Sequence, residues 1–546
     1  MDVLAEMVAR LYAAPVPAAT EPAPIFRARP STGRDRPSSG QGRPGSGGGR
    51  PDTGHGGHGG PGSGRLRSAA AQAPAEADVT TVGGAAEALR RGEVRSVDLV
   101  SAALAAADAT DSELGIFLAR YPEAALAAAE RIDRDRAAGR PVGPLGGVPL
   151  GIKDLLTTAD GPTSAGSLVP PEVGQRDATA VERLRSAGGV FVGKTLTSEY
   201  GLGSPDLTKP LPVPRNPWDV TRWTGGSSGG AASGLIAGAF LGGLGTDSGG
   251  SIRMPSAFCG VTGLKPTYGR VPRTGGIPMG WTTDHIGPMA TTARDCALLL
   301  EVIAGAHFDD PTTSDRPVPR YTDLLTGSLE GLRIGVDRMD RVSGAIADPA
   351  LVPLFDAALA ELTALGADLV EVELPLYDHV VAASTVIILS EARAYHQRTL
   401  ATRADDYFAN TRSNMEMAGV FSAADYVQAQ RVRAVGQEAV ARLLDRVDLI
   451  VTPTAAVPAT PYDRLHRMFE TGDFHAVYAP YWNLMGNPAL SVPMGFTAAG
   501  LPMGLQVIGA AFDDATVLRA GDAYQSRTDW HRRRPASFRE ETNFVK

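Results

Sequence analysis

Two cysteines, Cys259 and Cys296, are all that the 546 residues contain, which argues against a disulfide framework and a cysteine-rich metal site. Such usage points to a reducing compartment, and a cytoplasmic location is expected. Long hydrophobic runs are missing too. The most apolar glycine-rich stretch, GLIAGAFLGGLG at 234–245, is shorter than the ~18 residues a membrane span needs. The opening MDVLAEMVARLYAAP carries acids early and no basic n-region, so it reads as a short amphipathic helix and not as a secretory signal. Excess positive charge is also absent. The formal net charge of −8 favours solubility and argues against nucleic-acid binding by the protein as a whole.

Residues 30–64 lack apolar side chains altogether. Of these, 14 are Gly, 5 Pro and 5 Ser, and none is aliphatic or aromatic, so the segment cannot offset the entropy of ordering and is expected to be disordered. Its arginines (Arg34, Arg36, Arg43, Arg50) outnumber Asp35 and Asp52, yet a solvated tail is the simpler reading. His55 and His58 in HGGHGG would make a two-ligand site at most, and no metal is expected. The chain is therefore divided into an N-terminal extension, 1–77, and a catalytic domain, 78–546. Deleting residues 1–75 is expected to leave kcat unchanged.

From Asp78 onward, helical periodicity marks 84–92, 97–108 and 123–138, the last opened by Pro122 and stopped by Gly139. Short β-like runs then alternate with helices. VPLGI (148–152) precedes a helix at 178–187, and VFV (190–192) precedes a Ser/Gly-rich stretch with a helix near 228–238. Later come strand 332–336, helix 350–365, strand 369–373, helices around 385–402 and 423–444, and strand 448–452. This alternation predicts an α/β fold: one large domain with a mixed, twisted β-sheet covered by helices on both faces.

The chemistry concentrates in TGGSSGG (224–230), GLGTDSGGSIRMPSAFCG (243–260) and GLKPTYGR (263–270). In DSGGS (247–251) the successive N–H groups of Ser248, Gly249, Gly250 and Ser251 can point into one concavity, a nest suited to an oxyanion. A serine closing that nest is placed to be a nucleophile, and it needs a base. None of the nine His lies in a GxSxG context. Lys153, ending the apolar run VPLGIKD, is the alternative, because burial would keep its amine neutral. Read singly, a lysine such as Lys153 is more often a surface or snorkelling residue than a base, and a Gly/Ser run is usually a linker.

In order along the chain, GPLGGVPLGIKDLL (143–156), GKTLTSEYG (193–201), GGSSGG, GTDSGGSIR, PTYGRVPRTGG (266–276), DHIGPM (284–289), VTPT (451–454), NLMGNPALSVP (483–493) and GLPMGLQVIG (500–509) closely resemble the amidase-signature family. The resemblance covers roughly Asp78 to Pro535. It implies a Ser–cisSer–Lys triad of Ser251 as nucleophile, Ser227 as relay behind a cis Gly226–Ser227 bond, and Lys153 as base. Ser228 would support the network, and Asp247 and Arg253 would hold the loop by a charge-assisted bond. The implied activity is hydrolysis of a small carboxylic amide through an acyl-enzyme, without cofactor, nucleic acid or membrane partner; a homodimer is possible. Thr224, Ala231, Leu196 and Thr197 depart from the residues frequent in the family and bear on substrate fit.

Other readings compete. GGVFVGKT (188–195) satisfies the P-loop pattern, but its variable positions read as a strand with the helix before it. The glutaminase component of a tRNA-dependent amidotransferase is the nearest alternative; such proteins carry an arginine-rich stretch that 409–433 lacks. Cys259 reads as core. Trp281, Tyr478, Tyr481 and Trp482 read equally as acyl-pocket or ordinary packing aromatics, and pocket walls are expected from loops 202–215, 277–283 and 460–482.

Overall fold

Successive residues of a strand point to opposite faces. PLGIK at β2 (Pro149–Lys153) and VFVGKT at β3 (Val190–Thr195) are buried at every position, so both faces of the sheet there are covered. The computed structural model describes residues 2–17, 78–465 and 476–536. The expectations for 30–64, for His55 and His58, and for part of the 460–482 loop lie outside the described residues.

The remaining strands are β1 (Phe117–Arg120), β4 (Arg215–Asn216), β5 (Asp219–Trp223), β6 (Gly242–Asp247), β7 (Thr262–Lys265), β8 (His285–Ala290), β9 (Arg333–Val336), β10 (Asp368–Glu371), β11 (Leu449–Pro453), β12 (Ala489–Phe496) and β13 (Pro502–Gly509). β4 and β5 form a separate ribbon. The other eleven form one sheet in the order β1-β3-β2-β6-β8-β7-β12-β13-β11-β9-β10. It is mixed. β3, β2 and β6 run parallel, as do β11, β9 and β10, while the strands between β6 and β11 pair antiparallel. The edge strands β1 and β10 are half-exposed, where a sheet meets water.

The helices form where periodicity and caps place them. Thr81 accepts from Gly84 N at 3.1 Å to open Val82–Arg91, and Gly92 closes it in the left-handed region. Ser422 and Asp425 form a capping box at the start of Ala423–Leu444. The helix expected at 385–402 begins earlier, at Tyr377, and runs to Arg403.

Six sheet strands (β1, β6, β7, β8, β12, β13) go beyond the sequence expectation. β6, GGLGTD, is glycine at three of its six positions and so shows no alternation of side chains. Its glycines answer to close strand packing: a Cβ on Gly243 would stand 2.2 Å from the Gly151 carbonyl oxygen.

The opening residues do form a helix, Asp2–Ala13. It belongs to the same compact unit as 78–546, and its Leu11 is fully buried. An extension divided as a whole from the catalytic body at residue 77 is corrected on this point.

Candidate active site

Because β2 and β6 are parallel neighbours with Ile152 opposite Leu244, their C-terminal ends deliver Lys153 and Asp247 to one edge of the sheet, where open α/β sheets bind ligands. The GGSSGG loop reaches the same edge just before helix Gly229–Ala237. Its Gly226–Ser227 peptide is cis. Lys153 Nζ lies 2.7 Å from Ser227 Oγ, 2.7 Å from Thr246 Oγ1 and 3.3 Å from the Thr246 carbonyl. Ser228 N donates to the Ser251 carbonyl at 3.1 Å, and Ser228 Oγ donates to the Thr246 carbonyl at 3.2 Å. Ser227 and Ser251 both line one cavity of about 470 Å³.

Lys153 is wholly buried. Burial pushes its pKa down from 10.5 to about 7, against the opposing attraction of Asp247 and Asp284. A neutral amine has two N–H donors and one lone pair. The Thr246 carbonyl accepts only and takes one N–H; the hydroxyls of Thr246 and Ser227 can each donate or accept, so one of them takes the second N–H and the lone pair is left for the other.

The loop that carries Ser251 is held from beneath. Asp247 and Arg253, neither exposed at all, pair through Arg253 Nε to Oδ2 and Nη2 to Oδ1, both at 3.0 Å. Burial raises the Asp247 pKa, but Arg253 outweighs it and holds the carboxyl well below the ordinary range. Arg253 donates further to Gln506 at 2.7 Å and Asn483 at 2.6 Å, and Asn483 donates to Asp247 at 2.8 Å. Asn483 and Gln506 escaped the sequence reading, although both sit inside the quoted motifs. So did Thr246, and so did Asp284, which accepts from Ser248 Oγ and from the backbone of Met279 and Gly280.

One expected donor is corrected. Gly250 N is bound to Asp247 Oδ1 at 2.7 Å and cannot also receive an oxyanion; Ser248, Gly249 and Ser251 remain as candidate N–H donors. Gly250 serves the loop differently: its φ of 112° is open only to glycine, and a Cβ there would stand 2.6 Å from Ala479 Cβ.

Of the two readings of the aromatics, the packing one holds. Tyr478, Tyr481 and Trp482 are buried packing residues and Trp281 is 42% exposed; the cavity's aromatics are Trp223 and Tyr377. The three expected loops do contribute, through Leu202, Met279 and Val477, and helix Tyr377–Arg403 supplies a further wall. Cys259 is fully buried. Lys194 of the P-loop-like run lies within β3, buried and paired with Asp154 Oδ1 at 2.7 Å, so it has no reach to a phosphate. Among the described residues no helix is long and apolar enough to cross a membrane.

A buried amine beside a serine, with a second serine on an N–H-lined loop, is the equipment of acyl transfer to water. Comparison with known proteins names the class. Residues 98–518 match the Amidase family. A glutamyl-tRNA(Gln) amidotransferase subunit from Chloroflexus aggregans is 41% identical over 490 residues, covering 83% of this chain and 98% of that protein. An amidase of Pseudomonas putida is 38% identical over 465 residues, covering 83% and 97%. Among solved structures, a peptide amidase in complex with the inhibitor chymostatin superposes with a TM-score of 0.74 at 31% identity, covering 84% of this chain and 99% of that one. The fold and the matches together define an amide-hydrolysing enzyme. The chain belongs to the Amidase family.

Proposed function

We propose that Ser251 is the nucleophile, Ser227 the proton relay and neutral Lys153 the base in hydrolysis of small carboxylic amides with an apolar portion. The observation that carries this is the contact of 2.7 Å between the wholly buried Lys153 amine and Ser227 Oγ. Lys153 takes the proton of Ser227 as Ser227 takes that of Ser251, and Ser251 Oγ bonds to the carbonyl carbon. The oxyanion is received by N–H groups among Ser248, Gly249 and Ser251. Collapse breaks the C–N bond, the proton returns through Ser227 to the departing nitrogen, and water then cleaves the acyl ester to release the acid. The lining of the cavity supports the apolar preference: Leu202, Trp223, Met254, Met279, Ile388 and Leu389 all face it.

The test is labelling of the purified protein with a fluorophosphonate, located by peptide mass spectrometry, beside Ser251→Ala. Label on Ser251 that the variant loses is expected, with turnover abolished; activity retained by Ser251→Ala refutes the assignment. Lys153→Ala and Ser227→Ala each lose orders of magnitude in kcat, and the double variant loses little more, because the two act as one relay.

A second reading, the ammonia-supplying component of a tRNA-dependent amidotransferase, is favoured by the 41% identity to such a protein. It requires glutamine as substrate and a partner for full activity. Turnover of apolar amides by the isolated chain, with none of glutamine, decides against it.

A further inference from the structure

Helix Asp2–Ala13 does not end in solvent. Leu4, Met7 and Leu11 fall on one face at helical spacing. The C-terminal part of that face is packed, with Leu11 fully buried and Ala14 just beyond it also buried. The N-terminal part faces something else: Leu4 and Met7 line the same cavity as Ser227 and Ser251.

A twelve-residue helix is marginal alone in water, and its last carbonyls have no partners within the helix. Here the body supplies them. His379 Nδ1 lies 2.7 Å from the Arg10 carbonyl, and Gln428 Nε2 donates to the Leu11 carbonyl at 3.4 Å. Just past the helix, Arg431 donates to the Pro17 carbonyl at 2.8 Å. Tyr12 adds a bond to Asp425 at 3.1 Å. All four partners come from the two helices Tyr377–Arg403 and Ala423–Leu444, the first of which is itself a cavity wall. The docking thus fixes which side of the helix meets the cavity. Glu6 and Arg10, paired at 2.6 Å and partly exposed, line the cavity beside the two apolar side chains.

We propose that helix Asp2–Ala13 is a substrate-contacting wall of the catalytic cavity, with Leu4 and Met7 as specificity-determining residues that hold the apolar part of the amide away from the scissile bond. This rests on Ser251 being the reacting centre. Extending the acyl or amine group by methylenes brings it against Leu4 and Met7, and each well-seated methylene is worth about tenfold or more in discrimination. A short amide does not reach them. The helix therefore sets the preference for long over short apolar substrates and leaves the bond-breaking steps alone.

The experiment is equilibrium binding of an octanoyl and an acetyl anilide to Ser251→Ala protein, which does not turn over, with and without Leu4→Ala/Met7→Ala. The same substitutions in otherwise native protein are followed by steady-state kinetics. The double substitution is expected to raise Kd and KM for the octanoyl anilide about tenfold, with the acetyl anilide changed less than about twofold. Met7→Trp, which fills the wall, is expected to lower the octanoyl/acetyl preference by a comparable factor. The anchoring residues Leu11 and Tyr12 stay intact in every variant, so folding is preserved where removal of residues 2–17 would uncover the docking surface. An octanoyl/acetyl ratio of Kd unchanged by both the double variant and Met7→Trp overturns the proposal. Failure of the catalytic reading shows itself elsewhere, as absence of fluorophosphonate label on Ser251, and leaves the binding comparison readable.

Discussion

Replacing Lys153 by Met removes the amine while keeping most of the volume, and stability then reports on whether that amine is neutral. Burial lowers the lysine's pKa from 10.5 to about 7. Above pH 10.5 both folded and unfolded chains carry a neutral amine. Between 10.5 and 7 the unfolded chain binds a proton that the folded one does not, so folding loses stability as pH falls; below 7 both bind it and the loss is complete. One proton corresponds to about 1.4 kcal/mol per pH unit, so the full cost is on the order of 5 kcal/mol near neutrality. Lys153→Met does not bear it. The substitution also breaks the contacts to Ser227 and Thr246, each worth about 1 kcal/mol net, but those losses do not vary with pH in this range. The diagnostic is therefore the slope. From about pH 7.5 to about pH 9.5 the native protein should gain about 2–3 kcal/mol relative to Lys153→Met. Urea denaturation of both proteins at several pH values, followed by tryptophan fluorescence, measures it. A stability difference that is flat across the window refutes the neutral amine, and with it the base.

In the proposed mechanism the same protonation governs rate. kcat/KM is expected to rise with pH through about 7, where Lys153 loses its proton, and then level off; a profile with no rise between about pH 6 and 8 contradicts the role of Lys153. For the support beneath the Ser251 loop, Arg253→Leu leaves the Asp247 carboxylate buried without its cation and should cost about 3–5 kcal/mol in denaturant titration. Asp247→Asn/Arg253→Leu should recover part of that loss, and a single variant as stable as the native protein would remove the structural role assigned to the pair.

Much of the fold is legible in the sequence because side-chain periodicity announces helices and buried strands. Helices such as Pro122–Ala137 and Ala423–Leu444 fall within a residue or two of the sequence expectation. The strands that escape it do so for an identifiable reason. β6 is glycine at three of its six positions, and at Gly243 a Cβ would collide with the neighbouring strand; a strand with so few side chains shows no period. β12 and β13 are buried on both faces, so they do not alternate either. The residues proposed for the candidate site are picked out through motifs. Their bonding is not: that Gly250 N serves Asp247 and not an oxyanion follows from how Arg253, Asn483 and the loop meet, and no spacing encodes it.

The glycines that hide β6 are part of what makes the site possible. Gly243 lets β6 lie against β2, which brings Thr246 within 2.7 Å of Lys153. Gly250 lets the loop turn tightly over Asp247 before Ser251. Close backbone approach costs side chains that would otherwise fill the core, and the fold compensates with polar groups: the Asp247–Arg253–Asn483–Gln506 network is buried throughout. Local rules of strand formation and the demands of the site conflict here, and the conflict is resolved in favour of the site. Helix Asp2–Ala13 shows the opposite case. Its amphipathic pattern is ordinary and marks it plainly as a helix, but its partners, His379, Gln428 and Arg431, are hundreds of residues away. Periodicity identifies a face that must be covered; only the tertiary structure identifies that part of this one is completed by the cavity itself.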